Sequence, residues 1–186
     1  MILVVEDGSG LPDANSYCSI SFAEEYLSTY VSYARSFFEA RESIKEASLA
    51  RGTEYLDITF NGRWSGLKTS KEQGLAFPRR NVWMSSLSAY YPSSTVPTTI
   101  KRATAFAAFV SLEDPTLFET GSMLQSSSIQ GATIKSEFVK LGDIERRVDY
   151  LGGKVETTFT GKTNLLDKIH QLVLEFLETG FFMERG

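Results

Sequence analysis

The sequence predicts a mainly α-helical α+β domain: a bundle of about four helices, one β-hairpin, and extended arms at both ends. Apolar residues recur at helical spacing in four stretches and alternate near 134–151. Between these they give way to Gly-, Pro- and Ser-rich sequence. With 186 residues, 42% hydrophobic and 23% charged, the chain suits a single domain, 1–186, with one core.

Residues 1–17 read as an N-terminal arm punctuated by Gly8, Gly10 and Pro12-Asp13. A helical core follows over 18–112. Its first helix, 21–33, opens on a capping box with Ser21 as N-cap and Glu24 reaching back. Phe22, Tyr26, Tyr30 and Tyr33 form one aromatic face of that helix, expected to be buried. In a second helix, 40–59, Ile44, Ala47, Tyr55 and Ile58 share one face while Leu49 and Leu56 lie on another. Two apolar faces imply two neighbours, one of which can belong to another subunit.

From 60 to 97 the pattern is irregular. Asn61-Gly62 signals a turn, Ser70 to Gln73 a short helical turn, and 84–97 a surface loop interrupted by Pro92 and Pro97. A third helix, 98–112, carries a small-residue face of Ile100, Ala103, Ala107 and Val110, flanked by Phe106 and Phe109. Asp114-Pro115 ends it.

Within 131–151, the runs Ile134–Leu141 and Ile144–Leu151 pair across Gly142-Asp143 as a hairpin. This register sets Leu141 opposite Ile144 and Lys140 opposite Glu145, with Val139, Leu141, Ile144, Val148 and Tyr150 on one face. A lone hairpin is marginal, so it must lie on helices or extend a sheet shared with another chain. The last helix, 163–179, is capped by Thr163 or Asn164 and closed by Gly180. Leu165, Ile169, Leu172 and Phe176 interlock on it with Leu166, Val173 and Leu177. A tail, 180–186, carries Phe181, Phe182 and Met183.

Composition excludes several functions. The 19 Lys+Arg against 23 Asp+Glu give a net charge of −4, which removes a uniformly basic nucleic-acid surface. A single cysteine, Cys18, and a single histidine, His170, build neither a disulfide nor a His-based metal cluster, and leave little acid–base chemistry near neutrality. No catalytic, cofactor or metal site is therefore expected. No apolar run approaches the ~20 residues of a membrane span, and the first residues lack a signal peptide's basic and apolar regions.

Gly161-Lys162-Thr163 is not a phosphate-binding loop, because position 156 is Glu156 where the motif needs glycine. Gly8-Ser9-Gly10 is turn chemistry. His170 reads as structural, Cys18 as a small semi-buried residue with no cation next to it in sequence, and Glu24-Glu25 as a solvated face.

One constellation carries more. Arg63-Trp64 and the run Phe77-Pro78-Arg79-Arg80-Asn81-Val82-Trp83 interleave aromatics with cations, the arrangement that grips single-stranded nucleic acid. The competing reading places Trp64, Phe77 and Trp83 in the core. Arg79 and Arg80 would then pair with acids on this or a neighbouring chain, which the absence of a further basic run favours.

Several segments in one order carry a resemblance. They are Val5-Glu6-Asp7-Gly8-Ser9-Gly10 with Ala14-Asn15-Ser16-Tyr17, then Gly62-Arg63-Trp64-Ser65-Gly66, Ala76-Phe77-Pro78-Arg79, Val96-Pro97 with Ile100-Lys101-Arg102-Ala103, and Ile134-Lys135-Ser136-Glu137. Over 4–150 the chain resembles phage proteins labelled DnaT-like single-stranded DNA-binding proteins, which are similar in organisation to head–tail connector (adaptor) proteins. The connector likeness implies a virion structural protein of the phage neck, made in the host cytoplasm. It would form a dodecameric ring that joins the portal to a tail, stopper or nozzle protein, with double-stranded DNA passing through its lumen and no membrane involved.

Under that implication Glu6, Asp7, Tyr17, Phe181, Phe182 and Met183 dock to the portal or to neighbouring subunits. Arg63, Trp64, Phe77, Arg79, Arg80 and Trp83 then hold fold and ring together. The label's own implication is the alternative: a single-stranded DNA-binding protein of phage replication using Trp64, Arg79, Arg80 and Trp83.

Overall fold

The computed structural model describes residues 2–30, 34–84, 86, 88–114, 134–140, 145–150, 153–155 and 163–178, with 134–155 and 163–164 described by backbone alone. The chain is a mixed α+β fold, mainly helical.

Helix α1 (Ile20–Leu27) starts at Ser19, whose Oγ accepts from the Phe22 amide at 3.2 Å. The cap is therefore Ser19 and not Ser21, whose hydroxyl bonds the Ser19 hydroxyl at 2.9 Å. The helix tightens into a 3-10 turn at Ser28–Tyr30, where the Ser28 and Thr29 hydroxyls donate to the Glu25 and Tyr26 carbonyls. It ends short of the expected residue 33, and Tyr33 lies outside the described residues. A short helix that the periodicity did not predict, α2 (Arg35–Glu39), buries Phe37.

Helix α3 (Glu42–Thr59) falls within the expected span but buries one face, not two. Ser48, Leu49, Gly52, Thr53 and Leu56 point inward, whereas Ile44 and Ile58 are exposed. Helix α4 (Thr98–Glu113) is the centre of the bundle: Ile100 and every residue from Ala103 to Ser111 are buried. It packs on α1, α2, α3 and α5 (Thr163–Val173). The small-residue face does what its composition implies. Gly52 meets the α4 backbone so closely that a Cβ there would stand 2.7 Å from the Ala108 nitrogen.

The irregular stretch contains two ribbons. Strand β1 (Leu67–Lys68) pairs antiparallel with β2 (Arg79–Arg80), and β3 (Trp83–Met84) with β4 (Ala89–Tyr90). The expected surface loop is thus partly a ribbon, and Val96 within it is buried. No helical turn forms at Ser70 to Gln73. The buried Gln73 side chain accepts from the Ser70 amide and donates to the Leu75 and Pro78 carbonyls instead.

Strands β5 (Ile134–Lys140) and β6 (Glu145–Tyr150) pair in the expected register, Lys140 opposite Glu145, with an irregularity between Ile134 and Ser136. A third strand, β7 (Gly153–Val155), pairs with β6, so the sheet gains a strand from its own chain. The last helix is shorter than expected: α5 gives way to a 3-10 turn at Leu174–Phe176, and Leu177 bridges to Trp64. Gly180 and the tail lie outside the described residues, as do Gly161 and Lys162. Among the described residues no helix is long and apolar enough to cross a membrane.

Candidate nucleic-acid interface

The turn after α3 sets the geometry of the aromatic–basic constellation. Gly66 adopts φ +71, and a Cβ on it would stand 2.4 Å from the Arg80 carbonyl oxygen, so the turn lies flat against β2. That brings three consecutive carbonyls under the Arg79 guanidinium. Nε donates to Ser65 at 2.8 Å, and Nη2 donates to Gly66 at 2.7 Å and Trp64 at 3.2 Å. Nη1 donates to the Ala76 carbonyl at 3.3 Å. Burial draws the guanidinium pKa down. The core reading expects Arg79 to pair with an acid; among the described residues it instead clamps backbone carbonyls. It is thus not available to a phosphate.

Trp64 and Phe77 are core residues. Their rings meet edge to face at 5.1 Å, and Phe77 meets Phe176 at 5.8 Å. The chain after α5 locks this arrangement: the Ser65 amide donates to the Phe176 carbonyl at 2.8 Å and the Glu178 amide to the Arg63 carbonyl at 2.7 Å. For these residues the core reading holds.

Trp83 and Arg80 differ. Strand alternation turns Arg79 inward and leaves Arg80 exposed opposite the exposed Leu67. Asn81 then reverses the chain at φ 60, Val82 is buried, and Trp83 emerges 49% exposed. Its cross-strand partner Tyr90 is 66% exposed, and the two rings meet at 5.2 Å and 75°. Trp83 is thus no core anchor.

Tyr90 escaped the sequence reading because its segment looked like loop. The available signal was Tyr90-Tyr91 opposite Trp83, where alternation sends one ring out and the other in. Tyr91 indeed packs on Phe176 at 5.6 Å.

Arg63 is exposed over the Phe60 ring at 5.6 Å, and His170 stacks on that ring at 5.7 Å and 7°, a structural role as expected. Lys68 is exposed on β1. Among the described residues the ion pairs are Arg35–Glu39 and Lys45–Glu24, so Arg63, Lys68 and Arg80 have no carboxylate within ion-pair distance.

The expected docking residues of the N-terminal arm are mostly buried. Glu6 Oε1 accepts from the Gly8 and Gly10 amides at 2.8 and 2.9 Å, and Oε2 from Leu11 at 2.9 Å. Tyr17 is fully buried, and burial with Asp57 beside it pushes its pKa well up. Only Asp7 is exposed, its carboxyl held below the ordinary range by Ser9. The Glu6 bonds close a loop within the arm, and the arm is held on the body where the Gly74 amide donates to the Leu11 carbonyl at 3.1 Å and Gly8 lies against the Ser94 backbone. Cys18 is fully rather than partly buried, and burial pushes its thiol up to about 12 against the opposing charge of Lys101. Phe181, Phe182 and Met183 lie outside the described residues.

No curated protein and no solved structure matches the chain significantly. A family model described as "Putative DnaT-like ssDNA binding protein" matches residues 1–186. That description overturns the head–tail connector reading, and with it the ring, the portal and stopper partners and the duplex-lined lumen. It agrees with the alternative, a single-stranded DNA-binding protein. Since the match takes in every residue, the chain belongs to the DnaT-like ssDNA-binding family.

Proposed function

We propose that this protein binds single-stranded DNA and carries out no chemistry on it, stacking bases on the Trp83–Tyr90 pair and holding the backbone with Arg80 and Lys68. The observation that carries this reading is the exposed ring pair at 5.2 Å, because large aromatics left in solvent are a stacking platform, and Arg80, three residues before Trp83, is exposed with no ion pair among the described residues. The family description supports the same ligand. A net charge of −4 keeps non-specific attraction weak, so affinity comes from local contacts and falls with salt by ~0.7 log units per phosphate held for each log unit of salt.

The test uses intrinsic fluorescence. Of the two tryptophans Trp64 is buried and Trp83 exposed, so quenching by an oligothymidylate reports Trp83. With affinity read from the anisotropy of a labelled oligothymidylate, which does not need the tryptophan, Trp83→Ala is expected to weaken binding roughly 5- to 150-fold, the equivalent of one lost base stack, while Trp83→Phe retains most of it. No quenching, or equal binding by wild type and Trp83→Ala with Tyr90→Ala, overturns the function.

A further inference from the structure

We propose a second single-stranded DNA contact where α1, α4 and α5 meet, formed by Tyr26, Tyr30, Arg102 and Lys168; it rests on the function proposed above. The aromatic face of the first helix is only half-buried along its tyrosines. Tyr26 and Tyr30 meet edge to face at 5.6 Å, and Tyr30 meets Phe106 at 5.8 Å. Two cations from two other helices converge on this ladder. The Arg102 guanidinium carbon lies 5.7 Å from the centre of the Tyr26 ring. The Lys168 ammonium lies 3.7 Å from the centre of Tyr30 and 5.0 Å from that of Phe106, and donates to the Tyr30 hydroxyl.

Cation–π contact alone would serve the fold. Two features go beyond that. Arg102 is exposed and lies over the Tyr26 ring, and neither it nor Lys168 has a carboxylate at ion-pair distance among the described residues. An acidic chain has thus placed on one tyrosine pair two cations that form no ion pair among the described residues. This repeats the edge-to-face ring pair of Trp83 and Tyr90, which has the exposed Arg80 three residues before Trp83 in the chain.

The two places are also joined by one element. Lys168 lies on α5, and Phe176, just past the end of α5, touches Tyr91, the neighbour of Tyr90. From Lys168 to Phe176, five steps of α-helix and three of 3-10 turn cover about 13 Å along the axis, a distance that a single strand of several nucleotides spans. A strand running beside α5 would stack at one end on Trp83 and Tyr90, and meet Arg102 and Lys168 at the other.

Affinity is measured against salt for oligothymidylates of about 4 and about 16 nucleotides, a range set by known single-module sites. Arg102→Gln changes an exposed side chain and leaves the fold intact, as thermal unfolding will check. It is expected to lower the log–log salt slope for the longer oligonucleotide by about 0.7, and by about 1.4 when combined with Lys168→Gln. Trp83 quenching by the shorter one stays unchanged. Quenching by both lengths with an unaltered slope in both variants overturns the second contact and leaves the proposed function standing. No quenching of the wild type by either length overturns both. An equal loss of slope on duplex DNA of the same length overturns the assignment to single strands.

Discussion

Tyr17 donates its phenolic hydrogen to the Asp57 carboxylate across 2.5 Å, and both groups accept from the Ala76 amide, at 2.9 and 2.8 Å. The Phe77 amide adds a further bond to the Tyr17 hydroxyl at 3.2 Å. This node ties the N-terminal segment and α3 to the irregular segment that leads into Arg79 and Trp83, so the candidate interface hangs from it.

Burial raises the Asp57 pKa above its ordinary 3.8, with the bond from Tyr17 and the Ala76 amide opposing. The folded state then holds a proton more tightly than the unfolded chain. Its advantage is complete below 3.8 and is lost as pH rises through the raised value. Relative to Asp57→Asn, the wild type should therefore lose stability across that window. Urea unfolding of both proteins from pH 3 upward checks this; a difference that stays flat, or grows in favour of the wild type, contradicts it.

Arg79 should matter for folding rather than for binding DNA directly. Removing it strands four carbonyls under the turn, and Arg79→Ala is expected to cost about 3 kcal/mol in urea unfolding. Arg79→Lys should recover little, because a single ammonium cannot reproduce the planar fork. Arg80→Ala should leave stability within about 0.5 kcal/mol of wild type and weaken oligonucleotide binding. The opposite pattern would exchange the roles of the two arginines.

Gly52→Ala places a methyl 2.7 Å from the Ala108 nitrogen and 2.9 Å from the Thr104 oxygen, backbone atoms that cannot swing aside. Overpacking of this kind costs roughly 1–3 kcal/mol. The midpoint of chemical unfolding should drop accordingly, and a neutral substitution would mean that α3 and α4 are not packed this closely.

Glu6→Gln keeps the size of the side chain but turns one acceptor into a donor facing an amide. A loss of about 1–3 kcal/mol is expected, with faster hydrogen exchange at Gly8, Gly10 and Leu11. Unchanged exchange at these amides would show that the loop does not depend on the carboxylate.

Much of the fold was legible because helix and strand periods are local properties. The apolar spacing of α3, α4 and α5 and the alternation of β5 and β6 place those elements within a few residues of where they form. The errors fall where one hydroxyl or one carboxylate decides. Ser19 and not Ser21 caps α1, because only Ser19 reaches the Phe22 amide. The loop from Glu6 to Leu11 closes because Glu6 satisfies three of its amides, and the arm returns on itself where the Glu6 amide donates to the Ser16 carbonyl.

The candidate site divides in the same way. Its residue types, tryptophans interleaved with arginines, were evident from the chain alone, as were the net charge of −4 and the absence of cysteine pairs or a histidine cluster. Which aromatic faces solvent was not. Trp64 has the polar neighbours Arg63 and Ser65 and Trp83 the apolar neighbours Val82 and Met84, yet Trp64 packs on Phe60 and Phe77 and Trp83 stands beside Tyr90 in solvent. Likewise Arg79 and Arg80 are adjacent and chemically identical, but the flat approach of Gly66 surrounds one with carbonyls and leaves the other free. Tyr26, Arg102 and Lys168 come from three helices far apart in the chain, and no local pattern brings them together. Composition and periodicity determined the class and its secondary structure. Exposure and convergence were decided by tertiary packing, since both depend on what the rest of the chain places around a side chain.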